Sequence, residues 1–225
     1  MAAVQRSSLP EQVFRELVAA VLDGRYAPGE RLPPQRALAA DLGVNMASLR
    51  EGIKRLEQLR LVEVRHGDAM RVTDWKASGG LDVLAYAAMG DPALVRAVFE
   101  ARRLLLREAG RLAAGRRTEA QARTLQELAE AFATAADDGA AQAIDLAFMA
   151  TLIDAAGNLV FTLIINSIRE LYLSHLDRFR AIVADRAGLA PLYAAAATGI
   201  ANADAEATAA AVDRLASAQE AAMGS

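Results

Sequence analysis

The sequence predicts a mainly α protein in two parts: three helices closed by a small β-hairpin, then an all-α bundle of six or seven helices. Three observations predict it. Residues 9–60 hold three stretches of helical apolar spacing, separated by breaks rich in Gly and Pro. Residues 61–74, LVEVRHGDAMRVTD, change to an alternating pattern. Beyond residue 80 no strand pattern returns, and Ala, Leu, Glu and Arg dominate.

Taken in order, the apolar positions Val13, Leu17 and Val21 recur every four residues, with Phe14, Val18 and Leu22 beside them. This spacing predicts an amphipathic helix over 9–23. GRYAPGERLPP (24–34) reads as a loop. Pro34 is placed to open a second helix, PQRALAADL, which stops at Gly43, a natural left-handed position. Asn45 is a good N-cap for a third helix that runs to residue 59 or 60. In the next stretch Val62 and Val64, then Met70 and Val72, alternate with polar residues around the turn residues HGDA, which predicts a β-hairpin. Three helices and a two-stranded hairpin make a winged helix-turn-helix. The expected division is 1–74 for this DNA-binding domain, 75–80 for a linker (within DWKASGG) and 81–225 for an all-helical effector-binding and dimerisation domain. Within the latter, breaks are expected at 90–91, 115–117, 137–139, 157–158, 187–191 and 199–204.

Composition narrows the function. The chain has 225 residues, 54% of them hydrophobic, and no Cys, which excludes a disulfide framework and thiolate chemistry. No long uncharged apolar run spans a membrane, and the N-terminus lacks a secretory signal, so a cytoplasmic protein is expected. The net charge of −3 is uneven. Residues 1–76 carry 12 Lys+Arg against 10 Asp+Glu, and residues 77–225 carry 13 against 18. A mildly basic front on an acidic body fits a nucleic-acid-binding head. With no Cys, no His–carboxylate constellation and no Gly-rich phosphate loop, an enzyme finds little support.

A winged helix-turn-helix lays its third helix in the major groove. On a helical wheel Leu49, Ile53 and Leu56 form one packed face, and Ala47, Arg50, Glu51, Lys54 and Gln58 lie opposite. Arg50 and Lys54, one turn apart, are candidates for bases or phosphates, and Arg36 for a phosphate. The start of the third helix, with Asn45 and Ser48, offers N–H groups to an anion. His66 and Gly67 sit at the wing tip. Met46 stands about 20° from Ile53 on the wheel. Two readings of it stay open: it turns back toward the packed face, or it meets a thymine methyl.

These residues resemble the GntR family of bacterial transcription regulators. PGERLPPQRALAADLGV and LREGIKRLEQLRLVEVRHG match its patterns P-G-x-x-L-P-x-[EQ]-R-x-L-A-x-x-L-G-V and L-R-E-A-[LI]-x-R-L-x-x-x-G-L-[LIV]-x-x-x-x-G over about residues 10–74. The resemblance implies that Arg36, Asn45, Ser48, Arg50, His66 and Gly67 contact operator DNA. It also marks departures: Met46 and Ala47 replace an Arg-Thr or similar pair, and Asp68 stands where some members carry Lys. Gly52 replaces the usual Ala and is expected to weaken the third helix by roughly 1 kcal/mol.

The body resembles the FadR-type effector domain of the same family, through VFEARRLLLREAGRLAA (98–114), AIDLAFMATLIDAAGN (143–158) and the Ala-rich final helix. Many such domains hold a metal with one Asp and three His. This chain has two His, one of them in the wing, so His175 is left alone, and Asp145 is followed four residues later by Met149. No metal or other cofactor is expected. The resemblance makes Arg102 and Asp145 effector-binding candidates; Phe148, Met149, Leu152 and Tyr172 would add apolar wall, though such residues at helical spacing also read as plain core. An apolar lining suits an acyl chain. The expectation is a regulator that binds double-stranded operator DNA as a homodimer and answers a small-molecule effector, long-chain acyl-CoA or a fatty acid first, a small organic acid second. The alternative is a helical ligand-binding protein whose DNA binding has degenerated.

Overall fold

The computed structural model describes residues 8–64, 70–88 and 90–223. The chain forms two compact units, Met1–Gly90 and Asp91–Ser225.

The first unit begins with α1 (Leu9–Leu22), capped by the Ser8 hydroxyl, which accepts from Glu11 N–H at 3.4 Å. Short α2 (Gln35–Asp41) and α3 (Met46–Gln58) follow. Gly43 takes φ +63° between them, the conformation for which a residue without Cβ is suited. α1 lays Val13, Phe14, Leu17, Val18 and Val21 against Leu49, Ile53 and Leu56 of α3, and all eight are buried. Two-residue strands β1 (Val62–Glu63) and β2 (Arg71–Val72) pair antiparallel, Val62 opposite Val72. Val62, Met70 and Val72 are buried, but Val64 is 41% exposed, beyond the end of the short ladder.

Two stretches differ from the expectation. The Gly- and Pro-rich segment 24–34 is more than a loop. Gly29 N–H donates to Val72 C=O, Leu32 N–H to Met70 C=O and Val72 N–H to Glu30 C=O, so it lies along β2 as a third, edge partner. It buries Leu32, and its prolines stand at the ends, where no ladder bond is lost. Residues 75–80 carry a short helix, α4 (Trp75–Ser78), capped by Asp74. A 3₁₀ turn (Leu81–Val83) and α5 (Leu84–Ala87) complete the unit, and Tyr86 of α5 meets Phe14 edge-on with ring centroids 5.3 Å apart.

The second unit holds six α-helices among its described residues, each opened by a side-chain cap. They are α6 (Pro92–Arg116), α7 (Glu119–Ala133), α8 (Asp138–Ala155), α9 (Leu159–Ser174), α10 (Arg186–Ala201) and α11 (Ala205–Ala222). The abundant alanines let helices approach closely. Where α6 meets α11, a Cβ on Gly110 would lie 3.1 Å from Val212 Cγ2. Where α10 meets α11, a Cβ on Gly199 would lie 2.9 Å from the Thr208 backbone nitrogen. Arg116 and Arg117, at the end of α6, donate to the carbonyls of Ala156 and of Ile200 and Ala201, at the ends of α8 and α10, where helix carbonyls run out of partners in the next turn. At the centre Tyr193 of α10 stacks on Phe132 at 4.1 Å and takes Phe148 edge-on at 5.0 Å.

The break expected at 187–191 is absent: α10 runs through Pro191. Pro191 is exposed and lies in the second turn, so one outer hydrogen bond is forgone while the Asp185 carboxylate secures the start by accepting from Gly188 N–H at 3.0 Å. The real interruption comes earlier, between Ser174 and Arg186, and contains a 3₁₀ turn (Arg180–Val183) that buries Phe179, Ile182 and Val183.

Candidate functional site

In the first unit α3 divides as its pattern predicts. Leu49, Gly52, Ile53 and Leu56 are buried; Ala47, Arg50, Glu51, Lys54 and Gln58 are exposed. Arg36, second residue of α2, is exposed as well. Arg36, Arg50 and Lys54 make no ion pair with another described residue, so their charges stay available to a polyanion. Arg55, by contrast, is committed to structure. It pairs with Glu11 at 2.5 Å and stacks 3.7 Å above the Phe14 ring.

Asn45 and Ser48 are arranged differently from the expectation. The Asn45 side chain accepts from Ser48 N–H at 2.9 Å, and Ser48 is only 8% exposed. That N–H is therefore satisfied within the helix start and is not free for an anion. Met46 is half-buried, which favours its turning toward the packed face. His66, Gly67 and Asp68 lie outside the described residues.

In the second unit α6, α8, α9 and the 3₁₀ turn line a cavity of about 140 Å³ that opens to solvent. Its wall is mostly aliphatic and aromatic: Val98 and Phe99 from α6, Met149 and Ile153 from α8, Ile165, Ile168 and Leu171 from α9, and Phe179 and Ile182. Arg102, Asp145 and Tyr172 line it too. Four of the six expected effector residues, Arg102, Asp145, Met149 and Tyr172, thus share one cavity. Phe148 and Leu152 do not line it. They point to the opposite side of α8, fully buried, with Phe148 against Tyr193. The reason is helical phase: the wall uses residues 145, 146, 149, 150 and 153, one to two positions out of register with 148 and 152.

Asp145 is 2% exposed, so its carboxylate needs donors. Tyr193 O–H donates to Oδ1 at 2.5 Å and Gln219 Nε2 to the same oxygen at 2.9 Å. Gln219 Oε1 in turn accepts from Arg102 Nη1 at 2.9 Å. Burial, then the charge of Asp145, pushes the Tyr193 hydroxyl well above its ordinary range, so it keeps its proton as a donor. A divalent ion does not fit this donor set. Tyr193 and Gln219 present hydrogens to Asp145, and Met149 offers a thioether where a hard cation needs nitrogen or oxygen. His175 is taken up elsewhere, its Nδ1 3.2 Å from Leu171 C=O at the end of α9. Among the described residues no group of three His, Asp or Glu is placed to hold a metal. Gln219 was missed from sequence, although its signal was present: a polar residue four beyond Leu215 on the buried stripe of α11.

Comparison with known proteins agrees with both halves. Residues 9–72 match the family described as bacterial regulatory proteins, gntR family, and residues 97–220 match the FCD domain. The HTH-type transcriptional regulator Mce2R of Mycobacterium tuberculosis is 38% identical over 173 residues, 75% of this chain and 72% of that protein. A fatty acid metabolism regulator protein from a Shewanella species is 30% identical over 173 residues, 72% of this chain and 68% of that protein. Among solved structures, that of Lar, which controls expression of the Listeria monocytogenes agr system, aligns over 98% of both chains with a TM-score of 0.65 at 17% identity, a likeness of fold.

Proposed function

We propose, from the premise that this chain belongs to the gntR family of bacterial regulatory proteins and carries an FCD domain, that it binds operator DNA as a homodimer in the cytoplasm and is released by an acyl effector. A transcription regulator of this family binds DNA through the first unit and an effector through the second, and is not an enzyme. The observation that carries the reading is α3, whose apolar face is spent on α1 while Arg50 and Lys54, like Arg36 of α2, stay exposed and make no ion pair with another described residue. Two such heads read two half-sites, so the operator should be a pseudo-palindrome.

The effector reading is long-chain acyl-CoA or a fatty acid. The apolar wall of the cavity supports it, as does similarity to fatty acid metabolism regulators. A small organic acid is the second choice. Met46 and Ala47 favour one other reading, a ligand-binding protein that no longer holds DNA, because they leave the tip of α3 without a charge.

Anisotropy titration against DNA from its own promoter region tests the DNA reading. Log affinity should fall linearly with log salt, and Lys54→Ala should reduce that slope by about 1 if Lys54 meets a phosphate. No binding at low salt would overturn it in favour of the alternative. A thermal-shift screen of acyl-CoAs against short carboxylic acids tests the effector, and an absence of stabilisation at every chain length would remove the acyl reading.

A further inference from the structure

Among the described residues two buried side-chain polar atoms lack a hydrogen-bond partner: Arg103 Nε and the Tyr172 hydroxyl. Arg103 Nε still faces the Glu220 carboxylate at 3.4 Å. The Tyr172 hydroxyl makes no hydrogen bond, although Tyr172 is only 8% exposed and lines the cavity; the Gln142 side chain approaches it, but Gln142 Nε2 is committed to Leu176 C=O at 2.9 Å. A buried hydroxyl without a partner loses its hydration with nothing in return. Its neighbour Phe179 stacks on the ring at 5.5 Å and fixes it in place. Burial and the charge of Asp145 raise the hydroxyl above its ordinary range, so it remains an O–H donor at any physiological pH. The cavity therefore presents one unused donor within an apolar wall.

The charges around it decide what that donor takes. Arg102 and Asp145 are joined through Gln219 and offset one another. Arg169 and Asp154, both exposed, line the same cavity with opposite signs. The charged residues lining the cavity sum to zero, and its donor set does not suit a metal ion that would add positive charge. A carboxylate placed at Tyr172 would lose its hydration, meet the field of Asp145 and find no surplus cation. An uncharged carbonyl would lose less hydration and gain the same hydrogen bond.

We infer that the cavity recognises an apolar ligand by an uncharged carbonyl oxygen (ester, thioester or ketone) that accepts from the Tyr172 hydroxyl, and that it discriminates against the free carboxylate of the same chain length. The inference rests on the effector-pocket reading above. It separates the two acyl effectors considered there.

Calorimetric titration of the full chain at pH 7.5 with methyl octanoate and with octanoate tests it. The ester should bind at least ten-fold more tightly. Tyr172→Phe should weaken the ester about ten-fold and leave octanoate unchanged; this variant deletes only an unpartnered hydroxyl, so its thermal midpoint should match or exceed that of the parent. Octanoate binding as tightly as the ester, or an ester affinity unmoved by Tyr172→Phe, overturns the inference while the pocket reading stands. Binding of neither compound overturns the inference, and the acyl-pocket reading falls with it only if the chain-length screen above also shows no stabilisation.

Discussion

Gly52 lies in the middle of α3, where propensity alone makes Gly about 1 kcal/mol worse than Ala. The packing reverses that preference. A Cβ there would stand 2.7 Å from Val13 Cγ1 and 3.3 Å from the Phe14 backbone nitrogen. Val13 is buried and β-branched, so it cannot swing aside cheaply. Gly52→Ala should therefore destabilise the first unit, by about 1–2 kcal/mol after the propensity gain is set against overpacking, as chemical denaturation would measure. Arg60 gives the opposite case. It holds φ +56° just past α3, where an L side chain costs about 1–2 kcal/mol, and the family pattern has Gly at that position. Arg60→Gly should raise stability by up to about 1 kcal/mol once the added freedom of the unfolded chain is deducted.

At the scale of elements, the junction of α1 and α3 has a polar clasp. Glu11 accepts from both Arg15 and Arg55. The hydrogen bond from Arg55, then that from Arg15, holds the Glu11 carboxyl below its usual range. Because the folded-state value is depressed, this stabilisation is complete above the ordinary value of 4.5 and disappears as pH falls through the lower folded one. Amide exchange in α1 should therefore accelerate as pH drops below about 4.5 more steeply in the parent than in Glu11→Gln, after correction for intrinsic exchange rates. The helices of the second unit were legible from their caps: Asp91, Thr118, Asp137, Asn158 and Asp204 each stand one residue before a helix. Pro191 misled because a proline on an exposed second turn is tolerated when a strong cap precedes it.

At the scale of the whole molecule, the division of the chain depends on contacts that periodicity does not report. Residues 81–88 have the composition of the body, yet they belong to the first unit. The tie is Tyr86 on Phe14. Tyr86→Ala should lower the stability of the first unit by at least the 0.5–1.5 kcal/mol or so that an aromatic pair adds beyond burial, seen as faster amide exchange in α1 and α3. The second unit should be unaffected.

The sequence by itself determined the three helices of the head, the exposed Arg36, Arg50 and Lys54, and the helical body, because 3.6-residue periodicity and caps are local properties. Its arithmetic of histidines also spoke against a metal. The tertiary structure alone decided which face of α8 lines the cavity, and so removed Phe148 and Leu152 from it. It alone brought Gln219 of α11 and Tyr193 of α10 onto Asp145, and left the Tyr172 hydroxyl without a partner. The physical reason is one of range. Periodicity says which residues are buried, but core and cavity wall are both buried and equally apolar, and they differ only in what stands opposite.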